Sequence, residues 1–148
     1  MKIVIELNQV ILKNNTMGKI VWVNGCFDII HYGHIKLLEF AKKQGDRLII
    51  GIDHDDRISK VKGSDRPINN FMVRSSILKA IKYVDEVIVF DTDSTLVSSI
   101  KNCKANIIVV GDEYKHKKVI GSEVVDEVIF FEKIPNFSTS KLINNLKL

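Results

Sequence analysis

Five short apolar runs, separated by amphipathic windows, constrain the fold of this 148-residue chain more than any other feature. The runs are KIVWVN (19–24), RLIIGI (47–52), EVIVF (86–90), NIIVV (106–110) and EVIFF (127–131). Each run is short and rich in β-branched residues, which predicts strands. Their apolarity is nearly continuous, as expected for a sheet that helices cover on both faces.

Helical periodicity falls between these predicted strands. The spacing of apolar residues predicts helices at about 33–44, 70–83, 93–102 and 139–147. Residues 4–14 read as a leading helix or extension that ends at the break NNTMG. Strands that alternate with helices predict an α/β fold, here one Rossmann-like, doubly wound and mostly parallel sheet. No repeat or linker divides residues 1–148, so a single domain is expected.

Composition narrows the classes of ligand and location. The net charge of +4 is spread along the chain, which suits a small anionic ligand better than nucleic acid. Cys26 and Cys103 have no disulfide or metal spacing, which favours a reducing compartment. No apolar run is long enough to cross a bilayer and no leader is visible, so we expect a cytosolic protein without a membrane partner.

Two histidines stand where the first predicted strand gives way to a helix, in the stretch VNGCFDIIHYGH (23–34). Ligands of parallel sheets gather at the carboxyl ends of the strands, and the free N–H groups of a helix start attract anions. His34 lies on the apolar side of the first turn and His31 lies just before it. Gly33 has no Cβ to keep an anion from the backbone. Two imidazoles that donate to one anion predict a phosphate site.

Other interpretations of these histidines are weaker. Asp28, His31 and His34 form D-x-x-H-x-x-H, but no further Cys or His cluster completes a metal site, so we predict none. His54 and His116 read as surface residues. A NAD-type redox domain is disfavoured because no G-x-G-x-x-G follows the first strand.

The segment GCFDIIHYGH resembles the H-x-G-H signature of the nucleotidyltransferase superfamily, in particular its cytidylyltransferase-like group. The likeness extends from about residue 19 to the end of the chain. It implies that His31 and His34 stabilise the phosphoryl group in transfer, with Mg²⁺ bound mainly through the triphosphate. It also implies that Asn24, Gly25, Cys26, Phe27, Gly33 and His34 line the nucleotide site. The remaining substrate would be a small phosphorylated acceptor.

The basic loop KVKGSDRPIN (60–69) supplies cations for either phosphate. Its pattern K-G-x-x-R-P resembles the heptose-phosphate adenylyltransferase branch, which implies a catalytic role for Lys62 and acceptor binding by Lys62 and Arg66. Lys60 reads equally well as solvated. Asp28 either shapes the turn or contacts the acceptor.

Arg74 falls within the apolar face of the helix predicted at 70–83. A buried guanidinium needs an anionic partner. That partner is either the phosphate of the nucleotide or a structural carboxylate such as Asp85 or Asp112.

Two later segments also match the resemblance. VVGDEYK (109–115) is similar to the segment that lines base and ribose, which implies nucleotide binding by Gly111, Asp112 and Tyr114. In PNFSTSKLI (135–143), Ser138 is a good N-cap, and Lys141 opposes the helix dipole unless an anion lies nearby. The resemblance implies that Ser138, Thr139 and Ser140 hold the outer phosphates.

The resulting hypothesis is a transferase that joins the NMP of an NTP, ATP by preference, to a phosphorylated sugar or polyol such as heptose 1-phosphate. Val110 stands where the heptose branch often has Lys, and IKYVDEVI (81–88) resembles a CTP-dependent glycerol-3-phosphate branch, which is the alternative. An alternative of another class is a non-catalytic nucleotide-binding or sensing module. Related enzymes are often dimers and often carry a fused sugar kinase, so a homodimer and a separate kinase are further expectations.

Overall fold

The computed structural model describes residues 18–146. Its helices and strands run in the order β1 (Ile20–Gly25), α1 (Tyr32–Lys43), β2 (Arg47–Asp53), α2 (Asp55–Lys62), α3 (Phe71–Lys79), β3 (Glu86–Phe90), α4 (Asp93–Asn102), β4 (Ile107–Gly111), β5 (Glu127–Phe131) and α5 (Thr139–Leu146). Two 3₁₀ turns, Asp112–Tyr114 and Ser122–Val124, lie between β4 and β5.

The strands form one sheet in the order β3-β2-β1-β4-β5, and every pair is parallel. The predicted Rossmann-like α/β sheet is therefore confirmed, and its five strands are all parallel. The chain moves outward from β1 through β2 to β3, then crosses back to β4 beside β1. This reversal opens a crevice at the carboxyl ends of β1 and β4, where α/β sheets bind ligands.

Helices cover both faces of the sheet and bury its central strands, which explains their continuous apolar runs. In β1, Val21 and Val23 pack with Leu38 of α1 and Leu78 of α3. The alternate residues Ile20 and Trp22 form a second core with Leu96 and Ile100 of α4. Helices on opposite faces make the sheet doubly wound. None of the helices within residues 18–146 has the length and apolarity that a membrane crossing requires.

The predicted strands match the observed ones to within one residue, but the helices differ in two places. Helix α2 was not predicted, because it is short, mostly polar and buries only Ile58. Its N-cap is His54, which accepts from Asp56 N and lies 5.1 Å from the Phe71 ring, so His54 is not simply a surface residue. Helix α3 ends at Lys79 instead of residue 83, because the chain turns through residues 80–84 into β3. The helix predicted at 4–14 and residue 147 lie outside the described residues.

Candidate active site

A cleft of about 580 Å³ opens at the carboxyl ends of β1 and β4, where the topology predicts a ligand. Most of the site residues predicted from the sequence line it together. They are Asn24, Gly25, Cys26, Phe27, Asp28, His31, Gly33, His34, Lys62, Arg66, Gly111, Tyr114, Ser138, Thr139 and Ser140. Arg74 and Asp112 do not line it.

The two histidines stack on each other at the start of α1. Their ring centroids are 3.8 Å apart, and the backbone N–H of His31 donates to His34 Nδ1 over 3.3 Å. Since Nδ1 accepts, the proton of the neutral ring lies on Nε2. His31 Nδ1 is buried and has no hydrogen-bond partner among residues 18–146. The pair therefore presents the Nε2–H donor of His34 at a helix N-terminus, while His31 Nδ1 faces the first turn of α1.

Both histidines are held in the neutral form. Burial lowers the pKa of His34 to about 3, and the neighbouring His31, Lys62 and Lys133 add to the effect. Burial and Lys133 also lower the pKa of His31. At neutral pH the imidazoles thus act as hydrogen-bond donors and carry no positive charge.

Gly33 makes room for the histidine pair. A Cβ at this position would lie 3.0 Å from His31 Cε1 and 3.3 Å from Phe137 Cβ. The preceding turn also brings Phe27 into the site with a positive φ of 49°, its ring 5.1 Å from that of His34. Such backbone strain is typical of functional sites and costs about 1–2 kcal/mol.

The end of β1 supplies two further groups. Asn24 Oδ1 accepts from Trp22 Nε1 over 3.1 Å, which leaves the Asn24 amide NH₂ to donate to a ligand. Burial raises the pKa of the Cys26 thiol, against the opposing effect of Lys62 and Arg74. Cys26 is therefore a neutral, partly buried wall of the cleft.

Asp28 shapes the turn, the first of the two roles left open. It is 1% exposed, and its carboxylate accepts from Arg66 Nε (2.9 Å), Ile68 N (2.8 Å) and Asn69 N (2.9 Å). Burial alone would raise the pKa of Asp28, but the N–H groups of Asn69 and Ile68, together with Arg66, hold it below its usual value. Asp28, the carboxylate of the D-x-x-H-x-x-H pattern, thus already accepts hydrogen bonds from three protein donors. Within the described residues, no group of three or more His, Cys, Asp or Glu is arranged to hold a metal.

Arg66 has a buried side-chain nitrogen without a partner in the described residues. Its side chain is 11% exposed, and Nη2 is buried without a partner in the described part of the chain. Lys62, at the end of α2, lines the same cleft. An anion in the cleft would satisfy the free guanidinium nitrogen.

Arg74 has a different role from the predicted contact with phosphate. Its fully buried guanidinium donates to Cys26 O (2.7 Å), Asn69 O (2.9 Å) and Asp53 O (2.8 Å). It also pairs with Asp55 Oδ1 over 2.7 Å, so its carboxylate partner is neither Asp85 nor Asp112. Arg74 positions the turn after β1 against the end of β2, and the prediction of nucleotide binding is corrected.

The wall beyond β4 holds residues that sequence reasoning missed. Glu113 lines the cleft, whereas the predicted residue Asp112 does not. Glu113 pairs with Lys133 over 2.7 Å. Lys118 lines the cleft from the loop that follows. The sequence offered one indication of their role, which is that Glu113 and Lys118 follow β4 and Lys133 follows β5, at the ligand-binding edge of the sheet. Charged residues in exposed loops are otherwise indistinguishable from a solvated surface.

Helix α5 brings three hydroxyls to the cleft. Ser138 Oγ accepts from Lys141 N over 3.1 Å, as an N-cap does. Thr139 Oγ1 donates to Ile29 O over 3.0 Å and so ties α5 to the turn before α1. Ser140 lines the cleft, and its hydroxyl makes no hydrogen bond with the described residues. Only Ser140 is therefore free of a structural bond.

Comparison with known proteins agrees with this geometry. Residues 22–145 match the family model described as cytidylyltransferase-like. The bifunctional protein HldE of Campylobacter fetus is 41% identical over 144 residues, which are 97% of this chain and 31% of that protein. HldE of Campylobacter jejuni serotype O:2 is 44% identical over 138 residues, 93% of this chain and 30% of that protein.

Among solved structures, the lipopolysaccharide core biosynthesis protein from Thermoplasma volcanium has a similar fold, with a TM-score of 0.66 and 26% sequence identity. The match covers 79% of this chain and 98% of that protein. The chain spans about 30% of the length of the curated relatives it matches. Since the family model covers most of the chain, and the histidine motif that suggested it lies in the cleft, the chain belongs to the cytidylyltransferase-like family.

Proposed function

We propose that this chain is a nucleotidyltransferase that joins the NMP of an NTP, ATP by preference, to a phosphorylated sugar or polyol such as heptose 1-phosphate. The observation that carries the proposal is the pair of neutral, stacked histidines at the start of α1 inside the cleft. The similar solved structure is that of a lipopolysaccharide core biosynthesis protein, which supports a role in sugar chemistry.

In the proposed reaction a phosphate oxygen of the acceptor attacks the α-phosphorus of the NTP. A new P–O bond forms, the bond from the α-phosphorus to the bridging oxygen breaks, and pyrophosphate leaves with that oxygen. The attacking oxygen is already anionic, so no general base is required. His34 Nε2–H and the ring of His31 would donate to the oxygens on which charge builds up, together with free N–H groups of α1.

The remaining cleft residues would position the two substrates. Lys62 and Arg66 would hold the acceptor phosphate. The start of α5 (Ser138, Thr139 and Ser140) would hold the outer phosphates of the nucleotide through its free backbone N–H groups and the Ser140 hydroxyl. Gly111 and Tyr114 would lie against the base and ribose. Mg²⁺ would neutralise the triphosphate. The carboxylates Glu113 and Asp53 each have one oxygen in an ion pair, with Lys133 and Arg57 respectively, so the metal would be held mainly by phosphate oxygens.

The alternative substrates are CTP and glycerol 3-phosphate, favoured by the segment IKYVDEVI (81–88). The triphosphate is common to every NTP, so only the pocket for the base can discriminate, by a few kcal/mol at most. The cytosolic location, the homodimer and the separate sugar kinase stay predictions.

The test is pyrophosphate release with ATP, CTP, GTP and UTP, each combined with heptose 1-phosphate and glycerol 3-phosphate. We expect the highest kcat/KM for ATP with heptose 1-phosphate. His34→Ala should lower kcat by about a hundredfold or more, because a lost transition-state donor costs about 3 kcal/mol. The matched control is His116→Ala, since His116 is exposed and does not line the cleft.

Three outcomes would contradict parts of the proposal. Nearly normal rates in both His31→Ala and His34→Ala would exclude the mechanism. A preference for CTP with glycerol 3-phosphate would establish the alternative substrates. Tight nucleotide binding without turnover of any pair would indicate a sensing module.

A further inference from the structure

Helix α2 presents one face to the cleft. Arg57 and Val61 are four residues apart, as are Ile58 and Lys62, and all four line the cleft. Residues at this spacing share a face of a helix. Ser59 Oγ donates to Arg66 O over 2.6 Å, so the loop that carries Arg66 is tied to the same helix. The helix and its loop therefore form one wall, opposite the wall built after β4 and β5.

A cluster of charges occupies the start of this wall. Arg57 Nε donates to Asp53 Oδ1 over 2.7 Å, and Arg57 Nη2 donates to Asp93 Oδ1 over 2.7 Å. The guanidinium carbon lies 5.4 Å from the centre of the Phe90 ring. Asp53 and Phe90 end β2 and β3 and are paired in register. The cluster thus lies at the ligand-binding edge of the sheet, on the side of β1 away from β4.

This cluster differs from an ordinary surface ion pair on the same two strands. Arg47 and Glu86 begin β2 and β3 and pair over 3.1 Å, with side chains 52% and 45% exposed. Arg57 and Asp53 are only 28% and 20% exposed, and both line the cleft. Oδ2 of Asp53 and Nη1 of Arg57 make no hydrogen bond with residues 18–146, so each can still bind a ligand.

The free atoms suit hydroxyl groups. A carboxylate oxygen accepts and a guanidinium nitrogen donates, whereas a hydroxyl does both, so a polyol satisfies the two together. The same wall provides cations for a phosphate, Lys62 and the unpaired nitrogen of Arg66. An acceptor with a quaternary ammonium would instead need aromatic rings. The cleft-lining residues of segment 53–66 include none.

We propose that Asp53 and Arg57 bind the hydroxyl groups of the acceptor and so select a phosphorylated polyol or sugar, whose phosphate lies against Lys62 and Arg66. The inference rests on the proposed nucleotidyl transfer and adds the residues that set its acceptor specificity. Asp93 holds Arg57 from the first turn of α4 and acts as a positioning residue.

The experiment compares acceptors that differ by one hydroxyl. Pyrophosphate release is measured with the best polyhydroxylated acceptor of the panel and with its mono-deoxy analogues. The proteins are the unchanged chain, Asp53→Asn, Arg57→Gln and the control Arg47→Gln. In the unchanged chain at least one deoxy analogue should lose about tenfold or more in kcat/KM, the size of one hydrogen bond to a charged group.

In Asp53→Asn and Arg57→Gln the loss for that analogue should shrink to about threefold or less. The KM for the nucleotide should stay within about twofold of the original, and Arg47→Gln should keep the original selectivity. If the cluster has only a structural role, both variants should have lower thermal stability and equally reduced rates with the two acceptors. An unchanged ratio of these rates would overturn the inference. Turnover with unaltered selectivity in both variants would overturn it too. If the unchanged chain turns over no pair at all, the proposed function itself fails and the inference falls with it.

Discussion

At the scale of single residues, burial of His34 has a consequence for stability as well as for chemistry. Its pKa falls to about 3 in the folded chain, against about 6.5 in an unfolded one. Between these values the unfolded chain binds a proton that the folded chain does not. Stability contributed by neutral His34 is therefore present above pH 6.5 and is lost as the pH falls below it.

We expect this single group to lower the free energy of unfolding by about 1 kcal/mol between pH 6.5 and about pH 5.5. The measurement is urea unfolding at both pH values for the original chain, His34→Gln and His116→Gln. The His34 variant should lose that part of the pH dependence, whereas the variant of exposed His116 should retain it. An unchanged slope in His34→Gln would show that the ring titrates near its ordinary pKa.

The sequence was sufficient to identify site residues where their spacing alone indicates a chemical role. Two histidines around Tyr-Gly at a strand–helix junction indicated the phosphate site, and the structure brings them together in the cleft. Arg74 was misassigned because a sequence shows that a guanidinium is buried but not which oxygens surround it. Its partners, three carbonyls and Asp55, come from three separate segments of the chain.

At the scale of elements, the start of α5 contains one hydroxyl that stabilises the helix and another that is free to bind a ligand. Ser138 caps the helix, whereas Ser140 lines the cleft without a hydrogen bond to the described residues. Ser138→Ala should therefore lower stability by about 1 kcal/mol, the usual worth of an N-cap. Ser140→Ala should leave the melting temperature unchanged and raise the KM for the nucleotide.

Thermal melting and NTP kinetics on the two variants make this comparison. A fall in melting temperature for Ser140→Ala, with an unchanged KM, would assign that hydroxyl to the fold alone. An unchanged melting temperature in Ser138→Ala would show that water or a neighbouring group replaces the cap.

Elements were predictable where burial dictates the pattern. All five strands could be located because helices cover both faces of the sheet, so that no polar residue interrupts an apolar run. Helix α2 could not be located because only Ile58 is buried and its stability depends on capping and on charges at its ends. The helix that sequence missed is also the one that carries Arg57 and Lys62 into the cleft. The polar residues that let α2 face a ligand also remove the apolar periodicity by which a helix is predicted from sequence.

At the scale of the whole molecule, charge is arranged around the cleft. The chain has 22 Lys and Arg against 18 Asp and Glu, a small excess. Several of its cations line the cleft: Lys62, Arg66, Lys118 and Lys133. Lys133 is partly neutralised by Glu113, and Arg66 by Asp28. Lys118 makes no ion pair with residues 18–146, so its charge acts on an approaching nucleotide without compensation.

Because these cations surround the cleft, we expect nucleotide binding to depend on salt. A nucleotide with several negative charges is attracted over distances comparable to the Debye length, about 10 Å at 0.1 M salt. We expect kcat/KM for the NTP to fall severalfold between about 50 and about 200 mM salt, mostly through KM. Lys118→Gln should lower kcat/KM at low salt and flatten this dependence. The control is Lys101→Gln, at the far end of α4 from the cleft. Equal salt dependence in the original chain and in Lys118→Gln would show that Lys118 belongs to the solvated surface and that the contacts inside the cleft alone determine nucleotide affinity.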